Sequence, residues 1–162
     1  MAFGIDYSKA FSIVPEGEYE FIITAARVSV TRGGTEFIDI QLTIRNDVDQ
    51  QCRNRVVYSP IWRRKDPKEE DKACDGFMAS AINQLSRSAG LENGKTYAGV
   101  EQWCEDLVGK PVRGCIYHED YNGRTNAKVN RLSPTKFSQV MHMGMQQAAA
   151  PVAQNGDEDC PF

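Results

Sequence analysis

The chain has 162 residues, 41% of them apolar and 25% charged, which is typical of one globular domain with a short extension. No apolar run approaches the roughly eighteen residues of a membrane span, and Asp6 and Lys9 fall where a signal peptide would be apolar, so we expect a cytoplasmic protein. Five widely spread cysteines and two histidines argue against a zinc site or a disulfide scaffold, and the net charge of −3 gives no global argument for a nucleic-acid partner.

The first predicted element is a long β-hairpin. Residues 18–31 follow Pro15-Glu16-Gly17 with alternating side chains and predict a strand, bulged near Arg27. The tip Arg32-Gly33-Gly34 tolerates positive φ angles. Residues 35–45 then carry apolar side chains in strict period two and predict the second strand; these are Ile38, Ile40, Leu42 and Ile44.

A third strand and a change of period follow. Residues 51–62 resume β-type side chains, with Pro60 marking the end of the predicted strand. Asp66-Pro67 is typical of a helix start, and an apolar face repeating every three to four residues predicts one helix that closes at Gly90. A shorter helix is predicted over residues 100–108.

The last predicted strands form a second hairpin. Residues 111–118 and 125–132 flank Asn122-Gly123, which is the strongest hairpin signal in the chain. Three strands, a helix and two strands is the element order of the OB-fold. We therefore expect a mainly β protein: an OB-fold-like, five-stranded Greek-key barrel with a helix between strands 3 and 4, and a disordered C-terminal tail.

The C-terminal region loses this pattern. Residues 136–156 are rich in Met, Gln and Ala and bury too little apolar surface to offset the entropy of ordering, so they predict a flexible linker. The last six residues, 157–162, form an acidic tip that carries the whole excess of negative charge.

The tip resembles that of a known family. Asp157-Glu158-Asp159-Cys160-Pro161-Phe162 is similar to the acidic C-terminus of bacterial and phage single-stranded DNA-binding proteins, with Cys160 where isoleucine is usual. The body resembles phage-encoded OB-like proteins through residues 15–20 and through residues 107–112, which lead to Tyr121-Asn122-Gly123-Arg124. The resemblance implies that residues 1–135 bind and protect single-stranded DNA, without sequence preference, during phage DNA replication, recombination and repair in the cytoplasm of an infected bacterium.

The resemblance also implies a partner for the tip. Phe162 offers a ring, Pro161 restricts the chain, and three acids attract a basic rim, which suits insertion into an apolar pocket of a replication or recombination protein. A solubilising acidic end is the alternative. The predicted partner-binding residues are Asp157, Glu158, Asp159, Cys160, Pro161 and Phe162.

Binding of single strands needs cations along the phosphates and aromatic faces for the bases. The clearest cluster runs from Tyr58 through Trp62 to three consecutive cations. A barrel-capping Trp62, a core Tyr58, a turn-packing Tyr121 and a solvated cation loop are the alternatives. The predicted DNA-binding residues are Arg27, Arg32, Phe37, Arg53, Arg55, Tyr58, Trp62, Arg63, Arg64, Lys65, Tyr117, Tyr121, Arg124, Lys128 and Arg131.

We expect no enzymatic activity and no cofactor or metal, since the chain has no phosphate-binding loop, metalloprotease motif or nucleophile elbow. The acidic run Glu69-Glu70-Asp71 suits the first turn of a helix better than a magnesium site. Three other functions stay open: an adaptor or inhibitor that mimics the tip to bind host replication and repair proteins, a strand-annealing recombination protein, and a metal-dependent nuclease. The sequence does not fix the oligomeric state: a domain of this size can stand alone or form a homo-oligomer through strand edges or helix faces.

Overall fold

The computed structural model describes residues 2–6 and 13–143, and the fold is mainly β, as predicted. One antiparallel sheet contains six strands, and three short helices connect the fourth strand to the fifth. The elements are β1 (Gly17–Val30), β2 (Glu36–Ile44), β3 (Val56–Tyr58), β4 (Ile61–Trp62), α1 (Glu69–Lys72), α2 (Ala79–Ser88), α3 (Val100–Leu107), β5 (Pro111–Tyr121) and β6 (Arg124–Ser133).

Strand β1 lies at the centre of the sheet. The strand order is β3-β2-β1-β5-β6, and β4 also pairs with β2. Among the described residues no strand pairing joins β3 to β6, so the sheet is open there, although Cα atoms of these two strands approach within 8 Å. The predicted five-stranded barrel is therefore not confirmed, whereas the β-rich fold is.

Both predicted hairpins are confirmed. Gly34 has a φ of 88° at the first tip, and Asn122 and Gly123 have φ angles of 51° and 77° at the second. A type I′ turn requires positive φ angles at two successive residues, which explains the Asn-Gly pair.

The bulge in β1 lies at Thr24 rather than near Arg27. The register with β2 shifts between Ile23 and Ala25, and Thr24 Oγ1 lies 2.9 Å from Thr43 Oγ1. Before the bulge the odd-numbered residues of β1 face the core; after it the even-numbered ones do, as a one-residue insertion requires. This inversion turns Arg27 outward.

The predicted third strand is two strands, because the chain bends at Ser59-Pro60 between β3 and β4. The predicted long helix is also divided. Asp75 and Gly76 have φ angles of 56° and 89°, which ends α1 and places Phe77 in the core. The helix over residues 100–108 is confirmed as α3.

The core lies between the inner face of the sheet and the helices. Its fully buried residues come from alternate positions of the central strands and from α3; they include Phe21, Ile23, Ile38, Ile40, Leu42, Leu107 and Val112. No helix among the described residues is long and apolar enough to cross a membrane.

Residues 134–143, which we call the strap, lie across the outer side of the sheet at the end of β2. The first part of the predicted linker therefore packs on the domain through hydrogen bonds to Glu20, Arg45 and Asn46. The predicted disordered tail from residue 144 onward, including the acidic tip, lies outside the described residues.

Candidate nucleic-acid interface

An aromatic pair lies on the outer side of β2. Ile38 and Ile40 point into the core, so Phe37, Asp39 and Gln41 face the opposite side. Phe37 is directly opposite Trp62 of β4, and their ring centroids are 4.9 Å apart with an interplanar angle of 35°. The pair forms a continuous aromatic surface, and 43% of Trp62 is exposed.

A second aromatic station lies further along the same strand. Tyr58 of β3 is opposite Gln41, and 56% of Tyr58 is exposed. The structure therefore places both rings on the surface, rather than in the core or as a barrel cap. We call the outward surface of Phe37, Asp39, Gln41, Tyr58 and Trp62 the β2 face.

Cations border the β2 face. Arg27 of β1 lies opposite Asp39, at 3.5 Å from its carboxylate, with most of its side chain exposed. Arg32 is exposed at the tip of the first hairpin, and Arg53 is exposed in the loop between β2 and β3. Arg55 is half-buried just before β3.

The three consecutive cations after Trp62 have different environments. Arg63 Nε lies 2.8 Å from a carboxylate oxygen of Glu36, and its guanidinium stacks on Phe77 at 4.6 Å from the ring centroid. These contacts hold Arg63 against the helical side of the domain. A solvated run of three cations is therefore not what the structure shows.

Arg64 is also engaged within the chain. Its Nε lies 2.9 Å from Asp71 Oδ2, an ionic contact without hydrogen-bond alignment. Asp71 is buried, and hydrogen bonds from the backbone N–H groups of Ala79 and Lys68 lower the pKa of its carboxyl. Asp71 thus organises the start of α2. Of the three consecutive cations, only Lys65 is exposed without an ion pair to a described residue.

The second hairpin brings four of the predicted residues to one side. Tyr117 pairs with Lys128, and Tyr121 pairs with Arg124, so these side chains share the outward face of β5 and β6. Tyr121 is exposed, and Lys128 Nζ lies 3.4 Å from Glu119. Arg131, with a φ of 54°, lies at the irregularity where β6 shifts register.

Sequence reasoning missed the network around Arg45. Its side chain is completely buried, and its guanidinium donates to Asp47, Phe137 O and Gln139 O at 2.6 to 3.1 Å. The hydrogen bonds from the Arg45 side chain and, to a smaller extent, from the backbone N–H of Met141 lower the pKa of Asp47 to about 2. Alternation alone predicts an exposed side chain at the position of Arg45. The sequence could not show its burial, because the residues that cover it lie about 90 positions later in the chain.

The strap divides the outer side of β2 into two halves. Arg45, just after β2, is buried beneath the strap, whereas the β2 face is open. His142, near the end of the strap, is buried, and its Nδ1 accepts the N–H of Asn46 at 3.1 Å. Burial lowers the pKa of His142.

A separate cavity of about 810 Å³ lies between α2, residues 91–99 and the start of α3. Its apolar wall includes Ile82, Leu91 and the buried Trp103. None of the predicted DNA-binding residues line it. No group of metal-binding side chains occurs among residues 2–6 and 13–143.

Comparison with known proteins gives a family but no activity. A model of the family described as "Protein of unknown function (DUF669)" matches residues 4–151. No curated protein matches the chain.

Proposed function

We propose that this chain, which belongs to the DUF669 family, binds single-stranded DNA without a defined recognition sequence and protects it during DNA replication, recombination and repair. The observation that carries the proposal is the exposed aromatic β2 face. Each base stacked on an aromatic ring contributes about 1–3 kcal/mol, and stacking is tolerant of sequence because every base has a π face.

The topology supports an OB-like domain. β1 pairs with both β2 and β5, β3 comes close to β6, and the helices precede β5. OB-folds are partly open five-stranded barrels that bind oligonucleotides with the face of strands 2 and 3 and with two hairpin loops. Taking β3 and β4 together as strand 3, the β2 face and the loops at Arg32 and Arg124 are the equivalent surfaces.

Exposed cations complement the rings. Arg27, Arg32, Arg53 and Lys65 border the outer side of β1 to β4 or its loops, and Arg124 and Lys128 belong to the second hairpin. Contacts between such cations and phosphates release counterions, so affinity falls as salt rises. Arg63 and Arg64 are left out of this set because their ion pairs with Glu36 and Asp71 are short, at 2.8 and 2.9 Å, whereas those of Arg27 and Lys128 are longer, at 3.5 and 3.4 Å.

The acidic tip adds recruitment. Asp157-Glu158-Asp159 with Cys160-Pro161-Phe162 combines charge with an aromatic anchor and would bind replication or recombination proteins while the domain holds DNA. This part of the proposal rests on the sequence resemblance alone.

The β2 face can be tested by tryptophan fluorescence. The chain has two tryptophans, of which Trp62 is exposed and Trp103 is buried, so a base that stacks on the face should quench only Trp62. The experiment titrates the full chain with oligo-dT and with a duplex of equal length at two salt concentrations, and follows the anisotropy of a labelled oligo-dT in parallel.

We expect quenching by the single strand, weaker binding at high salt and little competition from duplex. Trp62→Phe should keep binding but lose the quenching, which shows that the signal comes from this ring. Absence of binding at low salt would refute the proposal and would favour a domain whose partner is a protein.

A further inference from the structure

Three rows of side chains cross the outer side of the sheet, and strand register fixes them. One row contains Phe37 and Trp62, and another contains Gln41 and Tyr58. The row between them contains Asp39 and its partner on β1, Arg27. The outer rows offer aromatic rings, whereas the middle row offers a carboxylate and a guanidinium.

The spacing of the rows determines how a strand can lie on them. Successive outward residues of β2 are two positions apart, which is about 7 Å along the strand. This is roughly twice the 3.4 Å rise per nucleotide of a stacked DNA strand. A strand bound along β2 is therefore extended, and a base over the middle row has no ring beneath it and meets polar atoms instead.

Asp39 is the acceptor in that row. Its Oδ2 lies 3.5 Å from Arg27 Nη2 and accepts the side-chain N–H of Gln41 at 3.4 Å. Both separations are long for hydrogen bonds, and both involve the same oxygen. The Asp39 side chain is 16% exposed, and its Oδ1 accepts no hydrogen bond from a residue of the described chain, which leaves the hydrogen-bonding capacity of this oxygen for a donor on a ligand.

A carboxylate discriminates between pyrimidines by their exocyclic groups. Cytosine carries an N4 amino donor where thymine carries the O4 acceptor, and Asp and Glu accept hydrogen bonds from cytosine N4. We propose that Asp39 gives the β2 face a preference for strands containing cytosine over strands of thymine alone. The proposal rests on the proposed DNA binding and adds a base preference to it.

Arg27 completes the arrangement. The Arg27 side chain is 61% exposed and its contact with Asp39 is long, at 3.5 Å, so its guanidinium can turn from Asp39 to a phosphate when a strand binds. The carboxylate is then left with cytosine N4 and Gln41 as its donors.

The test compares dissociation constants for oligo-dC and oligo-dT of equal length, measured by anisotropy with the full chain at pH 8, where cytosine stays unprotonated. The readout is the ratio of the two dissociation constants. The general electrostatic effect of removing a negative charge raises affinity for both strands equally, so by itself it leaves this ratio unchanged. We expect the wild-type chain to favour oligo-dC by roughly three- to tenfold, the effect of one hydrogen bond.

Asp39→Asn is the decisive variant. Its amide both donates and accepts, so it can pair with either pyrimidine, and the ratio should fall to about one. Asp49→Asn is the matched control, since Asp49 is an exposed acid in the loop after β2 and off the β2 face. It should change both constants together and keep the ratio.

An oligonucleotide of N4,N4-dimethylcytosine provides a test on the ligand side, because it lacks the amino donor and should bind the wild-type chain no better than oligo-dT. Equal wild-type constants for oligo-dC and oligo-dT, or an Asp39→Asn ratio like that of the wild type, would overturn the base preference while leaving DNA binding intact. No binding of either strand would overturn the proposed function together with it.

Discussion

The two tryptophans of the chain have opposite environments and should therefore separate binding from folding. Trp62 lies on the β2 face, whereas Trp103 is buried and donates its indole N–H to Ser86 Oγ at 2.8 Å. Trp62→Ala should weaken binding of oligo-dT by roughly five- to 100-fold, the equivalent of one stacked base, with little change in unfolding free energy. Trp103→Ala should instead lower the unfolding free energy by about 3–5 kcal/mol.

Anisotropy and urea unfolding on both variants check this prediction. A Trp62→Ala chain that binds as tightly as the wild type would show that the ring is not a stacking platform, whatever its exposure.

A second prediction at the residue scale concerns Arg45. Replacing it with methionine keeps much of the side-chain volume but leaves Asp47 and two strap carbonyl groups without their donor. Breaking one side of a buried ion pair costs about 3–5 kcal/mol, so Arg45→Met should lower the unfolding free energy by several kcal/mol in urea. Arg53→Met, at an exposed position, should change it by no more than about 0.5 kcal/mol.

For individual residues of the site, the alternation of apolar side chains predicted which face of the sheet a side chain lies on, but not its partners. The period of two correctly placed Phe37 on the other face of β2 from the buried Ile38 and Ile40. It could not show that Arg63 and Arg64 are held by Glu36 and Asp71, because those partners come from other elements and only the folded chain brings them together.

At the scale of elements, periodicity and turn chemistry located both hairpins and α3, while local irregularities escaped. At the bulge, the hydroxyl groups of Thr24 and Thr43 pair across the strands, a contact that periodicity alone cannot place. The break between α1 and α2 arises from Asp71, whose carboxylate accepts the N–H of Ala79 and so starts a new helix. An apolar face that continues across the break made one helix the natural prediction.

The strap should respond to acid through His142. Burial lowers the pKa of this side chain, with Asp47 opposing and Arg45 reinforcing the shift, and its neutral Nδ1 accepts the N–H of Asn46. The unfolded chain then binds the proton more readily than the folded one, so the stabilisation is complete above the ordinary histidine pKa of about 6.5 and is lost as pH falls below it.

Thermal unfolding at pH 8 and pH 5.5 checks this prediction with the wild type and His142→Gln. We expect the wild type to lose more stability than the variant on acidification, since glutamine does not titrate. Equal losses would show that His142 does not link the strap to pH.

At the scale of the whole molecule, the strap belongs to the folded domain, and the proposed function assigns DNA contacts to that domain and partner binding to the acidic tip. A chain ending at Met143 should unfold at the same temperature as the full chain and bind oligo-dT equally well or better, because it lacks the three acids of the tip. Under the proposed function, the full chain should capture replication or recombination proteins and the chain ending at Met143 should not.

A chain ending at Ser133 is the matched control. Without the strap, Arg45 loses its carbonyl acceptors and Glu20 loses the N–H of Lys136, so this chain should unfold at a lower temperature than the one ending at Met143. Similar unfolding temperatures for the two truncated chains would show that residues 134–143 add nothing to the domain.

The attachment of the strap also has a practical use in building reagents. Asn46 donates to Met143 O just beyond the end of β2. Phe37 lies near the beginning of β2, roughly 24 Å along the strand from its last residue, Ile44. A fluorescent protein or affinity handle fused after Met143 would thus emerge at the opposite end from the aromatic pair. Such a fusion would leave the β2 face accessible and, through the proposed DNA binding, would report exposed single strands.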